Sequence, residues 1–355
     1  MRVFNIQAVD HGMEAAVEAK IDNLNKPRHS LGMLEALARQ ICLVQQTLSP
    51  HLDHPCHLLL GGDHGIEREG VSVSPREVTW QQMINFTHGG GGVNLFCRQH
   101  GFDLSIVDVG VDHDLSGQVG ILDRKIARGT RNFLYEAAMS EDELARSLTI
   151  GSELVDGCAS KGCNILCIGE MGIANTSPSS IWMSELGGLP LDECIGAGAG
   201  LDAEGIRHKR DVLHRAVARY HHELGESGLR DESERTLFLI RQFGGFEMTT
   251  AIGAMLRAAE RRMLILVDGF IMSASMLAAS RLYPSVLDYA IFGHCGDESG
   301  HATMLSLMGA HPLLHLGLRL GEGTGALCAY PIIESSVRMM NEMNNFDHAH
   351  ITKYF

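Results

Sequence analysis

Apolar positions along the chain follow two alternating rhythms. Within residues 11–49, Leu31, Leu34, Leu37 and Ile41 recur at the spacing of one helix face, which predicts helices with Asn23–Ser30 as an irregular lead-in. Beyond them, short continuous apolar runs alternate with longer helical stretches. His57–Leu60, Leu104–Val109, Asn164–Ile168, Leu237–Ile240, Met263–Val267, Tyr289–Phe292 and Leu313–Leu316 read as strands. They lack polar alternation, so they are expected in a parallel sheet covered on both faces. The segments between them are long enough for right-handed helical crossovers. Ser140 and Glu143 are spaced as a capping box that starts one helix, and another is expected from Gly325 through Met340. Residues 223–236, rich in charge and glycine, read as a surface loop, and Tyr220-His221-His222 as a polar helix surface.

The fold expected is therefore α/β. Several runs end in glycine or a glycine–acid pair: Gly61-Gly62-Asp63, Gly169-Glu170, Asp268-Gly269 and Gly293-His294. Open parallel sheets bind ligands beyond the carboxyl ends of their strands, so functional residues are expected in these loops.

Composition narrows the function. A length of 355 residues accommodates one large α/β domain and a smaller accessory one. A formal charge of -14 weighs against nucleic acid as the main partner, though not against a small phosphorylated ligand. The longest apolar candidate, Met263–Ala278, is cut by Asp268 and Gly269 and does not predict a membrane span. The N-terminal segment lacks a signal-peptide apolar core. Nine scattered cysteines fit reduced thiols in cytoplasm, and the Cys158, Cys163, Cys167 group reads as core packing. The histidines show no metal-site spacing, so no metal or cofactor is implied.

Four segments carry candidate chemistry. Gly196-Ala197-Gly198-Ala199-Gly200-Leu201-Asp202 lacks dinucleotide or P-loop spacing; it is either a flexible loop or a phosphate cradle with Lys209 downstream. Gly169-Glu170-Met171-Gly172 follows a buried strand and puts Glu170 either in the crevice or at a helix cap. Leu320-Gly321-Glu322-Gly323-Thr324-Gly325 isolates one acid among three glycines after an apolar approach, which favours function over an incidental turn. His294 to His301 is a polar cluster better suited to holding a loop or substrate than to ligating metal.

Together with GDHGIEREGVSVSPREVTWQQMINF, ARGTRNF, GGFEMTTAIGAMLRAAERRMLILVDGFI and FGHCGDESGH, these segments resemble the nicotinate-nucleotide–dimethylbenzimidazole phosphoribosyltransferase family over about residues 19 to 345. The resemblance implies a parallel Rossmann-like sheet with helices on both faces (residues 31–321) and a small helical domain from the chain termini (1–30 and 322–355). It also implies a homodimer. The reaction implied moves the 5-phosphoribosyl group of nicotinate mononucleotide to 5,6-dimethylbenzimidazole in cobalamin lower-ligand assembly. By motif, the resemblance puts the general base at Glu322 and a second carboxylate at Glu170. Gln81 and Leu320 fall to the base pocket, Gly172, Gly198, Lys209 and Gly269 to the phosphate, and Asp268 near the ribose. Two positions depart from the family pattern. Ser74 stands where an aromatic residue is common, and Gly296 where serine is usual.

Such chemistry needs no metal and no general acid, because the donor ring is bonded to C1′ as a pyridinium and nicotinate leaves readily. A carboxylate that takes the N–H proton of the acceptor suffices. Three rivals remain at this level: the same transfer to adenine, another benzimidazole or a phenol, which Ser74 favours; a non-catalytic nucleotide sensor; and a nicotinamide-dependent dehydrogenase, which the missing GxGxxG disfavours.

Overall fold

The computed structural model describes residues 2–353. Six strands form one parallel sheet: β1 (Cys56–Gly62), β2 (Asp103–Gly110), β3 (Ile121–Asp123), β4 (Ile165–Met171), β5 (Leu264–Val267) and β6 (Ala290–Phe292). Their order is β3-β2-β1-β4-β5-β6, so the chain reverses direction across the sheet between β1 and β4. The loops leaving those two strands diverge to opposite faces and open a crevice there. Register from Cys56↔Leu166 to Gly61↔Met171 brings Glu170 beside Leu60 at that opening.

The helices in chain order are α1 (Glu14–Asn23), α2 (Met33–Gln45), α3 (Glu77–Thr87), α4 (Gly92–His100), α5 (Glu141–Ser160), α6 (Thr176–Gly187), α7 (Leu191–Cys194), α8 (Ala203–Ser227), α9 (Glu232–Phe243), α10 (Phe246–Glu260), α11 (Phe270–Leu282), α12 (His301–Leu307), α13 (Thr324–Glu342) and α14 (Phe346–Ala349). Right-handed crossovers put α4 on one face of the sheet and α5, α10 and α11 on the other. α13 packs on α4 and α2, while α10 packs on α5 and α11. The α5–α10 approach is close because both helices present glycine: a Cβ on Gly253 would lie 2.7 Å from Leu148 Cα. The capping box expected at α5 is formed, with Ser140 accepting from the Glu143 N–H and Glu143 from the Ser140 N–H.

Five of the seven expected strands are strands. Leu237–Ile240 instead lies in α9, where Thr236, Leu239, Ile240 and Phe243 are buried at helical spacing and Asp231 caps the first turn. The loop expected at 223–236 shrinks to residues 228–231 between α8 and α9. Leu313–Leu316 forms no strand; Leu314 makes one parallel bridge to His294. Tyr220 is buried, although His221 and His222 are exposed. Cys158, Cys163 and Cys167 are buried free thiols. The two chain ends meet: Leu24 bridges Asn345, and the Asn25 N–H donates to the Asn344 carbonyl at 2.9 Å. Residues 1, 354 and 355 of the two terminal segments lie outside the described residues.

Candidate active site

A cleft opens at the carboxyl ends of β4, β5 and β6. Its walls include Val71, Ser72, Glu170, Gly172, Asn175, Thr176, Gly198, Asp268, Gly269, His294, Glu298, Arg319, Leu320, Gly321 and Thr324. Five strand-end or glycine-rich segments of the sequence therefore converge on one opening.

Glu322 borders this cleft. The segment Gly321-Glu322-Gly323 is left-handed throughout, with φ of 85°, 63° and 82°. A non-glycine residue there is strained and held by its surroundings. Two contacts hold it. The Glu322 backbone carbonyl packs directly on Gly169 of β4, where a Cβ would overlap it. Gly323 lies on the ring of buried His57 of β1. The Glu322 side chain is 7% exposed, so it is not an incidental solvent-facing acid. Its Oε2 accepts from the Val93 N–H at 3.1 Å, in the first turn of α4. Burial raises its carboxyl above the usual range, opposed by the N–H groups of Val93 and Gly92, while Asp268 adds to the rise. Leu320 and Thr324 reach the same spot: a Cβ on Gly92 would meet Thr324 Cγ2 at 3.1 Å, Leu320 Cδ2 at 3.2 Å and Glu322 Oε2 at 3.4 Å.

Glu170 faces the cleft and does not cap α6. The Asn175 amide donates to its Oε2, and Oε1 lies 2.5 Å from where a Cβ on Gly321 would stand. Its carboxyl is pushed up to about 8, first by burial and then by the charges of Glu247 and Asp268. Asp268 behaves oppositely. Despite burial its carboxyl is held below the usual range by His294, whose Nε2 lies 3.4 Å away, and by backbone donors. Those donors include the Gly323 N–H at 3.1 Å and the Ala326 N–H at 2.9 Å, so Asp268 fixes the start of α13 and with it Glu322.

Lys209 is fully buried on α8, and its ammonium donates to Thr176 Oγ1 at 2.9 Å and the Gly196 carbonyl at 3.4 Å. Burial lowers its pKa to about 8. A Cβ on Gly198 would stand 3.7 Å from Nζ, so the glycine loop and the lysine form one wall. Asp202, which ends that loop, caps α8 by accepting the Gly205 N–H at 2.8 Å. In the His294–His301 segment, the Gly296 N–H donates to His301 Nδ1 at 2.8 Å, and His301 Nε2 lies 3.0 Å from Ser273 Oγ. These histidines hold the loop. Among the described residues no group of three His, Cys, Asp or Glu side chains is arranged to hold a metal ion.

Of the residues singled out in the sequence, Glu170, Gly172, Gly198, Asp268, Gly269 and Leu320 line the cleft, and Glu322 and Lys209 flank it. Gln81 does not join them: it sits on the exposed side of α3, outside the lining. Ser74 also lies outside the lining, its N–H donating to Ser72 Oγ at 3.2 Å. Sequence reasoning missed the buried pair His64–Glu247, 2.6 Å apart below the cleft. Its one available signal was the Gly62-Asp63-His64 step after an apolar run.

A family model described as Phosphoribosyltransferase matches residues 6–351. A Bacteroides fragilis protein named nicotinate-nucleotide–dimethylbenzimidazole phosphoribosyltransferase is 58% identical over 355 residues, 100% of both chains. A protein of the same name from Dechloromonas aromatica is 47% identical, covering 99% of each chain. The crystal structure of CobT from Thermus thermophilus superposes with a TM-score of 0.90 at 34% identity, covering 96% of this chain and 99% of that one.

Proposed function

The chain belongs to the nicotinate-nucleotide–dimethylbenzimidazole phosphoribosyltransferase family, and from that premise we propose a role for each group around its cleft. The enzyme moves the 5-phosphoribosyl group of nicotinate mononucleotide to 5,6-dimethylbenzimidazole, giving α-ribazole 5′-phosphate and nicotinate in assembly of the cobalamin lower ligand.

Glu322 is the general base. One benzimidazole nitrogen attacks C1′ while the C1′–pyridinium bond breaks and its electron pair returns to the nicotinate nitrogen. The proton on the other benzimidazole nitrogen passes to Glu322. Attack opposite the leaving ring inverts C1′, which gives the α-nucleotide. The observation that carries this reading is the buried carboxyl itself, lifted above the usual carboxylate range by burial and set beside Leu320 at the cleft edge. We assign the donor phosphate to the N–H groups of Gly172, Gly198 and Gly269 with Lys209 behind them, which fixes C1′ relative to the acceptor. Glu170 meets the positive charge of the donor ring and of the developing ribosyl cation. A cationic ligand favours the anion, so donor binding draws the proton off Glu170. Asp268 stays near the ribose but acts mainly on the Glu322 loop. No role follows for Gln81 from its position.

Incubation with nicotinate mononucleotide and an equimolar panel of dimethylbenzimidazole, benzimidazole, adenine and phenol tests the assignment. α-Ribazole 5′-phosphate should dominate, with nicotinate released only when an acceptor is present. Adenine or phenol products in excess would move the acceptor to another base. Absence of any nucleotide product would remove the activity.

We further propose a cytoplasmic homodimer whose small helical domain is built from 1–30 and 322–355 beside a large domain of 31–321. The family resemblance and the meeting of Leu24 with Asn345 support it. Light scattering at twice the chain mass, and cell fractionation, are the checks.

A further inference from the structure

Directly below the cleft lies a pair that the transfer chemistry does not use. His64 follows β1, and Glu247 stands in the first turn of α10. Both side chains are fully buried, with His64 Nε2 2.6 Å from Glu247 Oε1. Glycines make the room: a Cβ on Gly62 would stand 2.7 Å from Glu247 Oε2, and one on Gly245 2.7 Å from Oε1. Gly172 lies over both partners, its Cβ position 3.2 Å from Glu247 Oε1 and 3.3 Å from His64 Nε2. Glu247 Oε2 and His64 Nδ1 have no hydrogen-bond partner. A buried histidine–carboxyl contact is weak as a source of stability, and leaving polar atoms unsatisfied makes it weaker still. Its position points elsewhere.

We propose that the His64–Glu247 pair positions the Glu170–Asn175 loop and sets the charge that Glu170 meets, and so controls how the cationic donor is bound. Gly172, assigned above to the donor phosphate, rests on the pair, and Glu170 precedes it by two residues. The charges facing Glu170 are Glu247 from α10, Asp268 from the end of β5 and Glu322 from the loop before α13, with Glu247 the strongest of the three. Its one direct donor is the neutral Asn175 amide. His294 faces Asp268, and Arg76 donates to the His64 carbonyl at 3.1 Å and pairs with Asp112 and Glu67. Asp63 adjoins His64 and accepts the Asp112 N–H at 2.8 Å. Arg319 lines the same cleft and Lys209 holds Thr176 beside Asn175, but neither is among the charges that act most on Glu170. The inference rests on the reading of Glu170 as the group that meets the donor charge.

Three variants separate the two ideas: Glu247→Gln, which keeps shape and a hydrogen bond to His64 but removes charge; Glu247→Ala, which removes both; and Glu170→Gln. Donor KM and kcat are measured from about pH 6 to 9, with thermal unfolding as a check on folding. In the unaltered enzyme two limbs oppose each other near pH 8: a fall in donor KM as Glu170 ionises and a rise as Lys209 loses its proton. Glu247→Gln should move that fall to lower pH by about one unit or more, with kcat at saturation within about threefold. Glu247→Ala should raise donor KM roughly tenfold at every pH; should it fail to fold, His64→Asn takes its place. A Glu247→Gln profile that overlays the unaltered one overturns the inference, as does a loss of kcat or stability with the profile unmoved. If Glu170→Gln keeps the fall, the fall belongs to another group and the reading of Glu170 fails. If Glu170→Gln keeps only the Lys209 rise while Glu247→Gln is unmoved, only the inference fails.

Discussion

Glu322 shows how one residue can be placed against its own conformational preference. Its left-handed backbone costs on the order of 1 kcal/mol or more, and the same backbone turns its carboxyl toward the N-terminus of α4 and away from solvent. At that helix end the N–H groups favour the anion while burial favours the acid, and burial is the larger, so the carboxyl is a stronger base than an ordinary glutamate. Glu322→Gln keeps the hydrogen-bond geometry but cannot take the acceptor's proton. Turnover should fall about a hundredfold or more, while donor affinity by calorimetry changes by less than about threefold. Near-normal turnover with dimethylbenzimidazole would exclude Glu322 as the base. Glu322 was legible in the sequence, because an acid between glycines after an apolar run has little packing reason to be there. Glu170 was open between crevice and helix cap until its contacts with Asn175 and Gly321 were seen. The structural side of Asp268 was not: its partners Gly323 and Ala326 lie more than fifty residues on, and only the fold joins them.

Among the elements, β4 carries the most consequence for the site. Gly169, one residue before Glu170, lies against the Glu322 carbonyl, so a strand position in the core sets the height of the Glu322 loop. Gly169→Ala should therefore lower kcat at least about tenfold by lifting Glu322 off the strand, beyond the roughly 1–3 kcal/mol of stability lost to overpacking. The readout is kcat at saturating donor in the folded variant; an unchanged value would show that the loop has slack. The strands around this point were readable because continuous apolar runs ending in glycine mark buried parallel strands. Leu237–Ile240 misled because a four-residue window cannot show period. Thr236, Leu239, Ile240 and Phe243 together carry the helical spacing, and Asp231 the cap. The three residues of β3, an edge strand with Leu122 and Asp123 exposed, lack enough apolar sequence to announce themselves. The cleft was legible as a set of strand ends, whereas His64–Glu247 depends on a contact spanning 183 residues.

Across the whole molecule the buried titrating groups act on stability in opposite directions. Burial pushes His57 and His301 from an ordinary 6.5 down to about 4. The unfolded chain therefore takes up their two protons first, and stability falls as pH drops below 6.5. Glu170, lifted from 4.5 to about 8, keeps a proton in the folded chain that the unfolded chain has lost. Stability therefore falls as pH rises toward 8, and His294, raised by Asp268, adds to that limb once pH exceeds its ordinary 6.5. Below 6.5 two histidines outweigh the Glu170 carboxyl; above it Glu170 and His294 set the slope, until Lys209, lowered to about 8, begins to oppose them. Each unbalanced proton contributes about 1.4 kcal/mol per pH unit. Buried Asp63, Asp108, Glu298 and Glu322, all raised, soften the acid limb. Urea unfolding of the unliganded enzyme should then give its highest stability near pH 6.5, with lower values at about pH 5 and pH 8. Glu170→Gln should flatten the limb between 6.5 and 8, leaving only the His294 contribution. A stability that climbs steadily from 6.5 to 8 would mean that Glu170 is already ionised in the empty cleft, and donor binding would then have no proton to displace.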